Sequence, residues 1–257
     1  MKDTDRILLS RVFSCIDNTT LNATDNEQSV EAFCRRTLQL TADGQTVAAV
    51  CVYPRFVAVA SRVLAGSGIR VASVAGGFPH GQLPLELKMG EVKYALEQGA
   101  DEIDMVISRG ALLAGDEATV RDEVASIKAL CGNHLLKVIL ETGELPSPTL
   151  VERAAQLAID GGADFIKTST GKIAVGATPE AAEVMLNVVN RNVNFNKKRV
   201  GFKVAGGIST PEEALQYAEM AEKILGSDYI NNQTFRIGAS RLTERLHAFL
   251  TFKTAAN

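Results

Sequence analysis

The sequence predicts an α/β protein, a closed (β/α)8 TIM barrel forming a single domain over residues 1–257, with a helical extension at its N-terminus. Three observations point there. Short apolar, β-branched runs recur eight times at a spacing of about 30 residues, the length of one strand–helix unit. Between them, apolar residues fall three and four apart, the period of a helix with one buried face. The residues after the first run, Asp17-Asn18-Thr19-Thr20-Leu21, hold no glycine, whereas an open doubly wound sheet would carry a glycine fingerprint there.

Taken in order, the strand-like runs occupy residues 12–16, 47–52, 71–74, 103–107, 135–140, 165–168, 200–204 and 235–237. The helical period is plainest in Val30-Phe33-Thr37-Leu40, Val120-Val124-Ile127-Leu130 and Ala214-Tyr217-Ala221-Ile224. Ser147-Pro148, Thr178-Pro179 and Thr210-Pro211-Glu212-Glu213 mark helix starts. A hydroxyl there accepts from the free N–H groups of the first turn, and proline has no N–H to leave unpaired. Residues 187–198, rich in Asn and Lys, read as a solvated helix end and loop, and residues 253–257 as a fraying terminus.

With 257 residues and 46% apolar content, the chain can bury one large core. Its net charge of −3 provides no basic footprint for nucleic acid. No apolar stretch approaches the ~18 residues that span a bilayer, so no membrane partner is expected. The charged residues 1–6 do not suit a signal peptide, and the expectation is a cytoplasmic protein. Cys15, Cys34, Cys51 and Cys131 form no CxxC pair, and His80, His134 and His247 have no ligand spacing. Free buried thiols and no dedicated metal site are expected.

In such barrels the reacting groups come from the C-terminal ends of the strands and the loops after them. The sequence sets Asp17 at the end of strand one, Asp104 in strand four, Lys137 and Glu141 in strand five, Lys167 at the end of strand six and Lys203 in strand seven. Side chains alternate along a strand, so Glu102 and Asp104 share a face. The runs Phe165-Ile166-Lys167 and Val200-Gly201-Phe202-Lys203 both end on a lysine at equivalent strand positions, where two amines can share one pocket. A lysine desolvated beside another cation loses its proton easily, and the neutral amine attacks carbonyl carbon. The same residues also fit an ion-pair network that only ties the barrel together. Glu102 reads as a partner of Lys137 or of a rim arginine. His80, in Phe78-Pro79-His80-Gly81, reads as an orienting or solvent-facing group, and Cys51 as core packing.

Phosphate is the second element. Gly171-Lys172 follows strand six, Ala205-Gly206-Gly207-Ile208 follows strand seven, and Gly238-Ala239-Ser240 follows strand eight and opens a helix. Late barrel loops with glycines let backbone N–H groups approach phosphate oxygens, and a lysine adds charge. The chain lacks GxxxxGK(S/T), which argues against a nucleoside triphosphate.

Several of these segments resemble the deoxyribose-phosphate aldolase family. They are Gly99-Ala100-Asp101-Glu102-Ile103-Asp104-Met105-Val106, Leu136-Lys137-Val138-Ile139-Leu140-Glu141-Thr142, Gly162-Ala163-Asp164-Phe165-Ile166-Lys167-Thr168-Ser169-Thr170-Gly171 and Gly201-Phe202-Lys203-Val204-Ala205-Gly206-Gly207-Ile208. Asp17-Asn18-Thr19-Thr20-Leu21, Cys51-Val52-Tyr53-Pro54-Arg55 and Phe78-Pro79-His80-Gly81 extend the likeness in order along the chain. The resemblance implies a cofactor-free, metal-free class I aldolase. It would cleave 2-deoxy-D-ribose 5-phosphate reversibly into D-glyceraldehyde 3-phosphate and acetaldehyde. By motif, Lys167 would be the Schiff-base nucleophile, Lys203 its cationic neighbour and Asp104 the carboxylate of a proton relay, with Lys137 and Asp17 in support. Thr170 would face the sugar hydroxyls, and Gly171, Lys172, Gly206, Gly207, Gly238 and Ser240 would form the phosphate pocket. In some members a tyrosine on the C-terminal tail assists proton transfer; residues 251–257 carry none. A different class I phosphosugar aldolase, and a non-catalytic phosphosugar-binding protein, remain the alternatives. A homodimer is the expected self-association.

Overall fold

The computed structural model describes residues 3–196 and 199–252, so residues 253–257, read above as fraying, lie outside it. Helix α1 (Asp3–Phe13) precedes strand β1 (Ile16–Thr19) and packs against the last two helices. The chain then alternates through α2 (Glu27–Gln39), β2 (Ala49–Val52), α3 (Val57–Leu64), β3 (Arg70–Ala75), α4 (Leu85–Glu97) and β4 (Glu102–Val106). Two helices, α5 (Arg109–Leu113) and α6 (Glu117–Cys131), lead to β5 (Leu135–Ile139). There follow α7 (Pro148–Asp160), β6 (Phe165–Lys167), α8 (Pro179–Asn196), β7 (Gly201–Ala205), α9 (Pro211–Leu225), β8 (Phe235–Ala239) and α10 (Leu242–Phe252). The strands pair in chain order, all parallel, and β8 closes on β1. This is the (β/α)8 barrel that the alternation predicts, preceded by the expected N-terminal helix. No helix among the described residues is long and apolar enough to cross a membrane.

The helix starts read from the sequence are capped as their chemistry requires. Ser147 accepts from the Leu150 N–H, Thr178 from that of Ala181, and Thr210 shares a reciprocal capping box with Glu213. Each such cap is worth about 1 kcal/mol.

The first strand is misplaced in the sequence reading. Residues 12–16 were expected to form it, but Val12 and Phe13 continue the buried helical face begun by Leu8 and Leu9. Short apolar runs do not distinguish a strand from a buried helix turn. The strand is Ile16–Thr19, so Asp17 lies within it and not at its end. Gly238 and Ala239 likewise belong to β8 and not to the loop after it, and the helix opens only at Leu242. Glu141 sits just past β5. Residues 187–196 are a continuation of α8 with Val188, Val189 and Asn192 buried, not a wholly solvated segment; residues 197–198 lie outside the described chain.

The outward residues of the strands join the helices in the main core: Ile103 and Met105 flank Asp104 and point that way. Inside the barrel, Leu21, Ala49, Cys51, Ala72 and Val74 form a small apolar cluster packed with Tyr53 and Phe78. Asp17, Glu102, Asp104, Lys137, Lys167, Lys203 and Arg236 are also buried and form a charged group, with Val106, Ile139 and Phe165 on the same strand faces as Asp104, Lys137 and Lys167. All four cysteines are free and buried.

Candidate active site

Strand register brings the charged side chains to one level. Asp104 lies beside Lys137 across β4 and β5, Lys167 beside Lys203 across β6 and β7, and Lys203 beside Arg236 across β7 and β8. Asp104 is the hub. Its Oδ1 accepts from Lys137 Nζ at 2.7 Å, and its Oδ2 accepts from both Lys167 and Lys203 at 2.7 Å. Lys203 also reaches Asp17 Oδ2 at 2.5 Å. Arg236 bridges Asp17 at 2.5 Å and Glu102 at 2.7 Å, and Lys137 completes the ring on Glu102 at 2.7 Å. Gly238 makes this possible, since a Cβ there would stand 3.0 Å from Lys203 Cε.

The sharing of carboxylates singles out one amine. Lys137, Lys203, Arg236 and Lys167 divide Asp17, Glu102 and Asp104 among them, and the part-exposed Arg70 adds a fifth base 3.1 Å from Glu102, so bases outnumber carboxylates. Lys167 has the poorest share: it pairs with Asp104 alone, which also serves Lys137 and Lys203. Burial, and then the Lys203 ammonium, hold it below the ordinary lysine value although Asp104 pulls the other way. Burial acts on Lys203 too, but Asp104 and Asp17 outweigh it and Lys203 is raised. Lys137 is raised in the same manner by Asp104, Glu102 and Asp17 against burial. Burial would lift Asp104, yet the three lysines bring it well below the carboxylate range. The sequence expectation rested mainly on the neighbouring cation; burial is the larger cause at Lys167.

Lys167 is also the member of the ring that opens to solvent. A cavity of about 410 Å³ is lined by Lys167, Thr170, Gly171, Lys172, Gly206, Gly207, Gly238 and Ser240 among others, while Lys137 and Lys203 lie beneath it. All the residues read as a phosphate pocket therefore border one space. Among the described residues no carboxylate lines it, and Lys172 and Arg241 add positive charge. Lys172 is steadied by its ammonium donating to the Leu21 carbonyl. Gly206 has φ +98°, and a Cβ there would stand 2.9 Å from the Gly176 Cα, so two backbones meet at the cavity wall. Cys51 is 1% exposed, lies off the lining, and burial pushes its thiol up to about 11, as suits a packing residue. His80 faces solvent.

Residues 11–241 match the DeoC/LacD family aldolase pattern, most of the chain. The chain belongs to this family. It is therefore an enzyme, a carbon–carbon lyase of the aldolase kind. Solved structures agree. An Aeropyrum pernix protein described as a tetrameric deoxyribose phosphate aldolase is 26% identical, with 98% of this chain and 100% of that one covered and a TM-score of 0.75. An aldolase named QR15 is 29% identical over 96% of this chain and 99% of its own, with a TM-score of 0.80. A candidate deoxyribose-phosphate aldolase of Toxoplasma gondii ME49 is 26% identical, covering 95% and 94%, with a TM-score of 0.83.

In this aldolase the sequence reading missed Arg236, which sits in a run taken as plainly apolar. A basic residue between Phe235 and Ile237, on the same strand face as Gly238, was the available signal. Thr19, Leu21, Asn22 and Arg241 also line the cavity unforeseen. Arg236 is 1% exposed and its guanidinium lies 5.6 Å from the Phe165 ring centre. Arg236→Met is expected to lower unfolding free energy by about 3–5 kcal/mol, because Asp17 and Glu102 stay buried with a partner removed. Urea unfolding measures it; a loss under about 1 kcal/mol would show that Lys203, Lys137 and Arg70 suffice for the two carboxylates.

Proposed function

We propose that the enzyme cleaves 2-deoxy-D-ribose 5-phosphate reversibly to D-glyceraldehyde 3-phosphate and acetaldehyde through a Schiff base on Lys167. One observation carries the reading: the amine held below the ordinary lysine value is also the one that borders the cavity. The names of the structural relatives support the substrate, and the carboxylate-free lining supports its phosphate.

The neutral Lys167 Nζ attacks C1 of the open-chain sugar. Water leaves, and a protonated imine forms. This cation shares Asp104 with two ammonium groups, so its charge is only partly offset and it draws electrons strongly. The C2–C3 bond breaks, its electron pair moves to C2 and the imine becomes an enamine. The C3 hydroxyl gives up its proton as D-glyceraldehyde 3-phosphate departs. The enamine gains a proton at C2, and hydrolysis releases acetaldehyde and the free amine. Asp104 faces the imine cation and relays protons through water, with Lys203 as its protonated neighbour. Asp17 and Lys137 hold those two groups in place. The electron sink is the imine itself, so the reading needs no metal or cofactor. Gly171, Lys172, Gly206, Gly207, Gly238 and Ser240 take the phosphate, whose binding energy orients the reacting carbons.

The reading extends to a cytoplasmic role in deoxyribose phosphate catabolism, in keeping with four free thiols. It also includes a homodimer, for which Leu87 and Tyr94, two helical turns apart on α4, leave apolar surface exposed.

Acetaldehyde with sodium borohydride tests the chemistry. The expected product is an ethyl group fixed on Lys167, found by peptide mass spectrometry. An unlabelled protein under saturating aldehyde would sink the proposal and favour a phosphosugar-binding role. Assays with several phosphorylated sugars separate the proposed substrate from those of other class I aldolases.

A further inference from the structure

Glu141 lies outside the charged ring, yet it is fully buried and follows β5 in a left-handed conformation, φ +55°, that non-glycine residues rarely adopt. The conformation turns its carboxylate towards the loop after β6. There Oε1 accepts from the Thr170 N–H at 3.1 Å, and Oε2 accepts from the Thr170 hydroxyl. Arg109, itself 7% exposed, holds the carboxylate from behind: its Nη1 donates to Oε2 at 3.3 Å, and it also binds the Pro79 and His80 carbonyls and Glu144.

The consequence falls on Thr170, which borders the cavity. A hydroxyl has one proton to donate and two lone pairs to accept with. Thr170 spends its proton on Glu141 and one lone pair on the Lys172 N–H at 3.1 Å. What remains for a ligand is a single lone pair. We propose that Glu141 is a positioning residue that fixes the Thr170 hydroxyl as an acceptor towards the cavity, and so selects substrates that present a hydroxyl donor there.

This rests on the aldolase reading and narrows it to one atom of the substrate. The C3 hydroxyl loses its proton during cleavage, and a wall that only accepts cannot bond the carbonyl oxygen it becomes. The C4 hydroxyl keeps its proton throughout, and it is the group that suits Thr170. In the synthetic direction it is the hydroxyl beside the carbonyl of D-glyceraldehyde 3-phosphate.

The test compares kcat/KM for D-glyceraldehyde 3-phosphate with that for 3-oxopropyl phosphate, the same acceptor without the hydroxyl, each with acetaldehyde. The native enzyme is expected to favour the hydroxylated acceptor by about tenfold or more. In Glu141→Gln one oxygen becomes an amide N–H that donates to the Thr170 hydroxyl and frees its proton to point outward. The preference should then fall to within about threefold of unity, and Thr170→Val should do the same. In the Thr170→Val background, adding Glu141→Gln should leave the preference where it is. A native-like preference in Glu141→Gln, or in Thr170→Val should the first variant not fold, overturns the proposal. So does a further change of preference in the double variant. Borohydride trapping on the native enzyme keeps the two levels apart: absence of an imine defeats the Schiff-base reading, whereas an imine with no acceptor preference defeats only the role of Glu141.

Discussion

Lys167→Leu is expected to lower kcat by about 10^4-fold or more and to abolish borohydride trapping, with the barrel intact. No other base of the charged ring borders the cavity, so no second amine inherits the attack. The stability expectation is the less obvious half. Removing one partner of a buried ion pair usually costs about 3–5 kcal/mol, because the other charge is stranded. Here the partner is not stranded. Asp104 keeps Lys137 and Lys203, both at 2.7 Å, and Asp17 and Glu102 keep all their partners. Leucine also fills part of the space that the lysine stem occupied. The unfolding free energy should therefore stay within about 1 kcal/mol of native, or rise, in contrast to Arg236→Met. Residual cleavage above about one per cent would assign the nucleophile elsewhere. A stability loss as large as that of Arg236→Met would show that Lys167 carries a charge the ring depends on, which contradicts a neutral amine.

The contrast between those two residues also marks how far the sequence could be read. Lys167 and Lys203 were visible because each ends a short apolar run and enters a glycine-bearing loop, and equivalent strand ends converge in a barrel. Arg236 was not. Its importance depends on the parallel register that sets it opposite Lys203 and between Asp17 and Glu102, and register is a property of pairing, not of one segment. The alternation of strands and helices was legible because helix and strand periods differ so strongly. The boundary at Val12 and Phe13 was not, since a two-residue apolar step satisfies both periods. Glu141 was noticed as a polar residue near a strand end, but its partners come from elsewhere: Arg109 opens helix α5 and Thr170 lies in the loop after β6. Contacts between such distant segments leave no periodic trace in a chain, and the acceptor-only state of Thr170 exists only when all three are assembled.

Lys203→Leu is expected to move the acid limb of the kcat/KM profile to higher pH and to lower the maximal rate by about 10^2-fold or more. The sign follows from which form of Lys167 reacts. Attack requires the neutral amine, so activity appears as pH rises through the Lys167 pKa. The Lys203 ammonium is one of the influences that hold this pKa down. Without it Lys167 binds its proton more tightly. Asp104 Oδ2, now shared with no other lysine, strengthens that preference, and both effects push the limb in the alkaline direction. The shift has a ceiling, because burial is the larger cause and survives the substitution; Lys167 should not regain the full value of a free lysine. The substitution also leaves Asp17 and Asp104 short of a cation, so the unfolding midpoint must be followed alongside. The pH dependence of borohydride trapping with acetaldehyde separates tuning from damage, because it reports imine formation without the later proton transfers. A partly destabilised protein loses amplitude at every pH, whereas a retuned amine shifts the midpoint. A midpoint that stays in place would leave burial as the sole cause of the lowered Lys167 pKa and confine Lys203 to holding Asp17 and Asp104.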